Sequence, residues 1–446
     1  MSAHAAPSRL HGLGTALRWP GAGRAIARTA GFNAAATAAA GLGGILLART
    51  LGPAVRGEYA AITAWFGVTL MAGGMGQPAA VCYFVARDPL RGRQYAATSR
   101  AMMLVTGTLA LVAGIVAAPA LARGNAAVAD GYRIAFAISI VAFVGASYTF
   151  SLQALDLSRW NLVRVIQPAL SLAGLVLLWS LGALTLRNAL AVLAVTMVVQ
   201  LGAAYRYCRM SGLAPGHMDA ALIRPLAGYG MAQFAALTPA ALNAQLDQLV
   251  LSQTVPPADL GRYAIAVSLA LLPMPLVAAI GNVAFPRLAA SRVVTDGTRR
   301  LQLIAVLASA ALSAGIIAPI AALAHWLVPM VFGAGYRGAV PLLWLLAPGA
   351  VFLACGQVVG DLLRGRSHPG VVAWAESLAA VFTIVLLLAL LPVVGVAGAA
   401  IASTIAYGIA LAVMLRSLWR LPRHARGSGD AMPPRDRAAM EPQAIS

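Results

Sequence analysis

The sequence predicts an all-α polytopic membrane protein of about 12 transmembrane helices, in two six-helix bundles related by a pseudo-two-fold axis along the membrane normal. Three observations predict it. The 446-residue chain is 60% hydrophobic and only 10% charged, with a mean hydropathy of +0.81, outside the range of soluble domains. Its charges fall in short clusters between apolar runs of about 20 residues, the length that crosses the hydrocarbon core as a helix. A short segment near the start recurs at an offset of 204 residues, as from Pro53 to Pro257. A β-barrel is the other structure that can span a bilayer, but it needs alternating strands, whereas the stretch from Ile304 to Ile320 is apolar or small on every face.

Apolar runs between arginine or Gly/Pro clusters place the spans at 29–49, 58–85, 99–122, 132–155, 162–182, 188–207, 226–252, 262–285, 300–330, 338–362, 370–391 and 394–416. The chain thus divides into a basic N-terminus (1–28), a first bundle (29–207), a linker (208–225), a second bundle (226–416) and a disordered basic tail (417–446). All 32 basic residues are arginine, and the net charge is +19. In a soluble protein that would suggest nucleic-acid binding, but here the arginines follow topology. With both termini cytoplasmic in an inner membrane, all but Arg49, Arg56, Arg123, Arg133, Arg187, Arg262 and Arg337 fall on the inside, as positive-inside orientation requires. No nucleic-acid partner is expected. The first 28 residues hold no apolar core before a cleavage site, so the first span is expected to direct insertion itself.

The repeat runs Gly52-Pro-Ala-Val-Arg-Gly-Glu-Tyr-Ala60 and Pro256-Pro-Ala-Asp-Leu-Gly-Arg-Tyr-Ala264. The two copies share Pro, Ala, Gly, Tyr and Ala at matching positions. Each joins the first and second spans of a half, so the halves have the same orientation, as in transporters built from parallel repeats. Two unrelated turns that each need Pro, Gly and an interfacial Tyr are the plainer alternative.

No Walker loop, HExxH, CxxC or nucleophile elbow occurs, so neither ATP nor a resident metal is implicated, and no catalytic residue or cofactor is assigned. Cys82, Cys208 and Cys355 lack metal-like spacing. The informative groups are polar residues inside spans, where a charge is costly unless it meets a cavity or a partner. Asp247 is the clearest, with Asn243 one helical turn away on the same face; Glu376 and Asp361 raise the same question. Asp247 is read either as an ion-coupling group or as half of a structural pair with an arginine. Asp361 with Arg364, at i,i+3, reads as a local pair. Asn33, Thr37 and Gly41 form a polar and small stripe in the first span that either lines a path or admits a close neighbour. Arg24 and Arg28 share a face at the cytoplasmic entrance, where paired guanidinium groups suit a diphosphate and also suit simple anchoring. Pro239, Pro273 and Pro275 mark bends.

Taken together, Leu46-Leu-Ala-Arg-Thr-Leu-Gly-Pro-Ala-Val-Arg-Gly-Glu-Tyr-Ala60, Leu246-Asp-Gln-Leu-Val-Leu251, Leu260-Gly-Arg-Tyr-Ala264, Phe285-Pro-Arg-Leu288, Val331-Phe-Gly-Ala-Gly-Tyr336 and Gly395-Val-Ala-Gly-Ala-Ala400 resemble, in order and spacing, the oligosaccharide (O-antigen and capsular polysaccharide) flippase family. That family lies within the superfamily of multidrug, oligosaccharidyl-lipid and polysaccharide exporters. The resemblance covers roughly residues 25 to 416. It implies a central cavity that opens alternately to either side, a lipid-linked glycan as substrate with its polyprenyl tail in lipid, and a proton or sodium gradient as the driving force, with Asp247 and Glu376 as coupling candidates. Substrate contacts would fall to Arg24, Arg28, Asn33, Thr37 and Asn243. Membrane lipids, a glycan polymerase and glycosyltransferases are the implied partners. This chain departs from the usually basic family cavity in having few arginines deep in its spans. A cation-coupled multidrug exporter and a lipid II flippase stay open as alternatives. So does a membrane-embedded polymerase or glycosyltransferase, although the loops are short for one.

Overall fold

The computed structural model describes residues 22–281, 296–366 and 368–420, with side chains from 28 in the first segment and from 298 in the second. The segment before 22, Phe285-Pro-Arg-Leu288 and the tail beyond 420 lie outside the described residues, as does the side chain of Arg24. Every long element is a helix. The first, α1 (Ala22–Gly74), is two arms joined at Gly52, whose φ of 74° and ψ of 176° break the spiral. Glycine takes that conformation without a Cβ penalty, and the following Pro53 disfavours helical geometry in the residue before it. The second arm continues past a break at Met75 and Gly76 into α2 (Gln77–Arg87).

The first half is completed by α3 (Gly92–Leu121), α4 (Ala126–Leu155), α5 (Leu157–Ser180) and α6 (Leu186–Met210). Asn125, Asp156 and Thr185 cap α4, α5 and α6 through their side-chain oxygens, satisfying backbone donors at helix starts. The second half comprises α7 (Ile223–Thr254), α8 (Pro257–Ala270), α9 (Met274–Gly281), α10 (Asp296–Ala322), α11 (Ala324–Phe332), α12 (Ala339–Gly365), α13 (Pro369–Val394) and α14 (Val396–Arg420). A bend of 40° separates α8 from α9, beside Pro273 and Pro275, which cannot donate to the helical ladder. Pro239 sits within α7 without ending it.

Among the described residues nine helices are long and apolar enough to span a membrane, and α8 with α9 makes a tenth. Counting the two arms of α1 separately, and including α7 with its polar Asn243 and Asp247, gives the twelve-span, two-bundle membrane fold. The helices α1 to α6 pack on one another, and so do α7 to α14. One end of the molecule carries Gly52 and the Val255–Pro256 turn; this is the turn side. The other, where α1 begins and α14 ends, is the terminal side.

The two copies of the sequence repeat meet face to face on the turn side. A β-carbon at Gly57 would overlap the Pro257 carbonyl, and one at Gly261 would overlap the Pro53 carbonyl. Two backbones therefore touch where any larger residue would hold them apart, the close approach that small residues give membrane helices. Around this contact Trp65 Nε1 donates to Ser252 Oγ (3.1 Å), Arg123 Nη1 to the Val255 carbonyl (2.8 Å) and Tyr336 OH to the Ala48 carbonyl (3.1 Å). Toward the terminal side α7 crosses between the bundles. A β-carbon at Gly76 would overlap the Gly230 carbonyl, and Gln77 Nε2 donates to the Leu226 carbonyl at 3.2 Å.

Replacing Gly261 by Val should prevent closure of the turn side. In a chain with Cys82, Cys208 and Cys355 changed to Ala, a cysteine placed at Ala61, now buried beside this contact, should react several-fold faster with an impermeant maleimide when Gly261→Val is added. An unchanged rate would show that the glycine contact does not hold that side shut.

Candidate functional site

A lumen of about 570 Å³ opens between the bundles, in the terminal half of the molecule, with walls from the second arm of α1 and from α2, α4 and α7. Its lining includes Tyr83, Phe150, Gln153, Tyr229, Gln233 and Phe234, and holds no charged side chain among the described residues. The Tyr83 and Tyr229 rings, one from each half, stack at 4.4 Å with 11° between their planes.

The second constellation is a buried polar cluster within the second half. Asp247 is 3% exposed and Asn243 likewise. The face of α7 that carries them packs on α13 and α14, while Gln245 lies against Gly67 and Ser252 against Trp65 in the other half. Asp247 Oδ2 accepts hydrogen bonds from Tyr263 OH on α8 and from Ser403 Oγ on α14 (3.4 Å), and Oδ1 accepts from the Gln248 amide (2.7 Å). Asn243 donates through Nδ2 to Glu376 Oε2 (3.5 Å) and accepts through Oδ1 from Thr383 Oγ1 (2.9 Å), both partners lying on α13. Tyr263 is fully buried. A carboxylate placed this deep depends on such donors, because an unsatisfied buried charge costs several kcal/mol. None of the described ion pairs includes Asp247; hydroxyl and amide donors serve it in place of an arginine.

The residues singled out in the sequence therefore separate into two groups. Asn243, Asp247 and Glu376 come together in the second half, away from the lumen wall. Arg28, Asn33 and Thr37 lie on the first arm of α1, all exposed. Arg28 Nη1 donates to Ser158 Oγ (3.1 Å) and its guanidinium stands over Phe32, while neighbouring Thr29 accepts from Asn161 Nδ2 (2.8 Å). That arm is docked on α5, leaving open space where β-carbons at Gly31 and Gly41 would stand. Arg24 belongs to the same helix, its side chain outside the described residues. Asp361 pairs with Arg364 at 2.8 Å, as the i,i+3 spacing suggests.

Sequence reasoning missed Tyr263, Thr383 and Ser403 and the aromatic lining. Tyr263 stood in the repeat, where its recurrence suggested a turn tyrosine. Only the approach of α8 to α7 shows that its hydroxyl reaches Asp247. Thr383 and Ser403 are small polar residues in apolar spans, a type too common to single out. Among the described residues no group of three or more His, Cys, Asp or Glu side chains could hold a metal ion.

A family model described as polysaccharide biosynthesis protein matches residues 30–292. No curated protein matches. Of the solved structures, lipid II flippase MurJ in an inward closed conformation is similar with a TM-score of 0.73 at 12% identity, covering 88% of this chain and 88% of that one. An inward-facing multidrug resistance MATE family transporter of the MOP superfamily gives 0.71 at 14% identity, covering 86% of this chain and 94% of that one. An outward-facing MATE family transporter gives 0.62 at 15% identity, covering 89% and 94%. At these identities the likeness is one of fold.

Changing Tyr263 to Phe removes a hydroxyl donor from the buried Asp247 carboxylate, a loss expected to destabilise by about 1–3 kcal/mol. The purified protein in detergent should melt at lower temperature, whereas Tyr263→Phe combined with Asp247→Asn should recover part of the loss, because the charge has gone. Equal melting of wild type and Tyr263→Phe would show that the bond contributes nothing.

Proposed function

The chain belongs to the polysaccharide biosynthesis protein family, and from that membership and the geometry of its lumen we propose that it flips a polyprenyl-diphosphate-linked oligosaccharide from the cytoplasmic to the outer leaflet of the inner membrane by alternating access. The observation that carries this reading is the lumen itself, walled by both bundles and shut off from the turn side by the contact between the two repeats. With both termini cytoplasmic, as the arginine distribution favours, that is the state which receives substrate from inside. A bare bilayer opposes a hydrophilic headgroup by many kcal/mol, and a polar lumen removes the barrier without a covalent step.

Each part of such a substrate has a counterpart. Arg28, with Arg24 on the same helix, would meet the diphosphate at the entrance. The first arm of α1 differs from α7, the helix that occupies the equivalent place in the second half. Toward the terminal side α7 docks across on α2, whereas the first arm packs there on α5 of its own bundle and exposes Asn33 and Thr37. The gap beside that arm gives a polyprenyl tail a way to remain in lipid while the headgroup enters.

Coupling to a proton or sodium gradient would work through α8. One end of this helix presents Gly261 to Pro53 at the turn-side contact, and two residues later it presents Tyr263 to Asp247. A proton or cation taken up at Asp247, with Asn243 and Glu376 near, competes with the Tyr263 hydroxyl for the carboxylate. It thereby alters the hold on the helix that closes the turn side. A ligand moves such an equilibrium only by its difference in affinity for the two states, and this arrangement supplies one.

Drug export by a cation-coupled carrier is the second reading, favoured by the likeness to MATE family transporters. Among the described residues the lumen lining holds no carboxylate, which weighs against a cationic drug.

A strain lacking this gene should accumulate a completed polyprenyl-linked repeat unit and lose one surface polymer, as read by mass spectrometry of lipid extracts beside surface-glycan analysis. Unchanged lipid-linked sugars and surface glycan, in a strain without a redundant flippase, would remove the proposal. In the same background, Asp247→Asn should restore at most a small fraction of export. Full restoration would take Asp247 out of coupling.

A further inference from the structure

The lumen wall has a chemistry of its own. Four aromatic rings, Tyr83, Phe150, Tyr229 and Phe234, share it with two carboxamides, Gln153 and Gln233. Aromatic faces carry partial negative charge and attract the weakly positive C–H bonds of a flat, hydroxylated ring. Carboxamides donate and accept at once, which suits hydroxyl groups that do the same. Arginine, lysine, aspartate and glutamate are all missing from the lining among the described residues, so an ionised ligand entering here would lose water without gaining a counter-charge. The nearest basic group on the same helix turn, Arg87, spends a guanidinium N–H on the Tyr83 hydroxyl at 3.1 Å.

From this lining we infer that the lumen is a subsite for an uncharged pyranose, seated against the aromatic wall, with its hydroxyls on Gln153 and Gln233. The inference rests on the flippase reading and sharpens it: the sugar in the lumen carries no carboxylate or sulfate. The diphosphate stays outside the lumen, with the arginines of the entrance. Tyr83 and Tyr229 come from opposite bundles, so their stack is broken whenever α2 and α7 separate. A sugar on this wall thereby touches both halves while α2 and α7 are in contact and only one of them after they part. The volume of about 570 Å³ lies within the range of roughly 300–1,000 Å³ common to small-ligand pockets.

The test uses two probes that differ by one group, citronellyl β-D-glucopyranoside and its glucuronide, with the full chain in lipid nanodiscs. Saturation-transfer NMR reads which probe protons touch protein, and titration gives the affinities. The glucoside should show saturation at its ring C–H protons and bind at least ten-fold more tightly than the glucuronide. Tyr229→Leu and Gln233→Leu should each abolish the ring signal in a protein that still elutes as a single species. Equal binding of the two probes, or saturation confined to the citronellyl chain in wild-type protein, would overturn the subsite without depending on any variant folding. If the deletion strain nonetheless accumulates a lipid-linked repeat unit, the failure belongs to the subsite alone. If it does not, the flippase reading has failed on its own evidence.

Discussion

Two backbones touch where Pro53 to Gly57 meets Pro257 to Gly261, and the rest of the molecule is arranged around that contact. It brings the second spans of both halves together at one end, beside a cavity lined by Glu58, Arg123 and Thr254, and the aromatic lumen lies toward the other. Glycine at both positions is a steric requirement, because each faces a carbonyl oxygen with no room for a β-carbon. The contact is reciprocal, glycine of each copy against proline of the other, as expected when two copies of one motif face each other across a pseudo-two-fold axis. Around the backbone contact, apolar side chains of both halves, among them Ile62, Phe66, Leu251 and Leu260, are buried in one shared core.

The symmetry is broken where function would need it broken. At the same offset of 204 residues the places of Asn243 and Asp247 in the first half are taken by Ala39 and Gly43, while that of Tyr263 is taken by Tyr59. The tyrosine is thus common to both halves and the carboxylate belongs to one. The first arm of α1 and α7, equivalent in sequence position, also part company toward the terminal side: the arm packs there on α5 of its own bundle, and α7 also reaches across to α2. A lumen between such halves has one tightly sealed flank and one looser flank.

Much of the fold could be read from the sequence, because spans, arginine clusters and a repeat are properties of composition and order. The kink at Gly52 and the α8–α9 bend fell where Gly-Pro and a proline pair stood. The arginines assigned to the minority side, such as Arg49, Arg123 and Arg262, do lie at one end, where they bind carbonyls of helix ends. The polar cluster was half legible. Asn243 and Asp247 share a face by helical periodicity, and Glu376 was marked as a charge in a span, but nothing local places α13 against α7. The aromatic wall was not legible at all. Tyr83 and Tyr229 are 146 residues apart and come from different bundles, and single aromatics in apolar helices are ordinary packing residues until the third dimension brings them together.

Whether the repeat contact parts during transport is read most directly from the distance between the halves at the turn side. Spin labels at Ala126→Cys and Pro256→Cys, in a chain with its native cysteines replaced and held in nanodiscs, report that distance by double electron–electron resonance. Alternating access coupled through Asp247 predicts two populations, a short one matching the closed contact and a longer one, whose ratio shifts with proton or sodium concentration and loses that dependence in Asp247→Asn. A single short distance under every condition would contradict it.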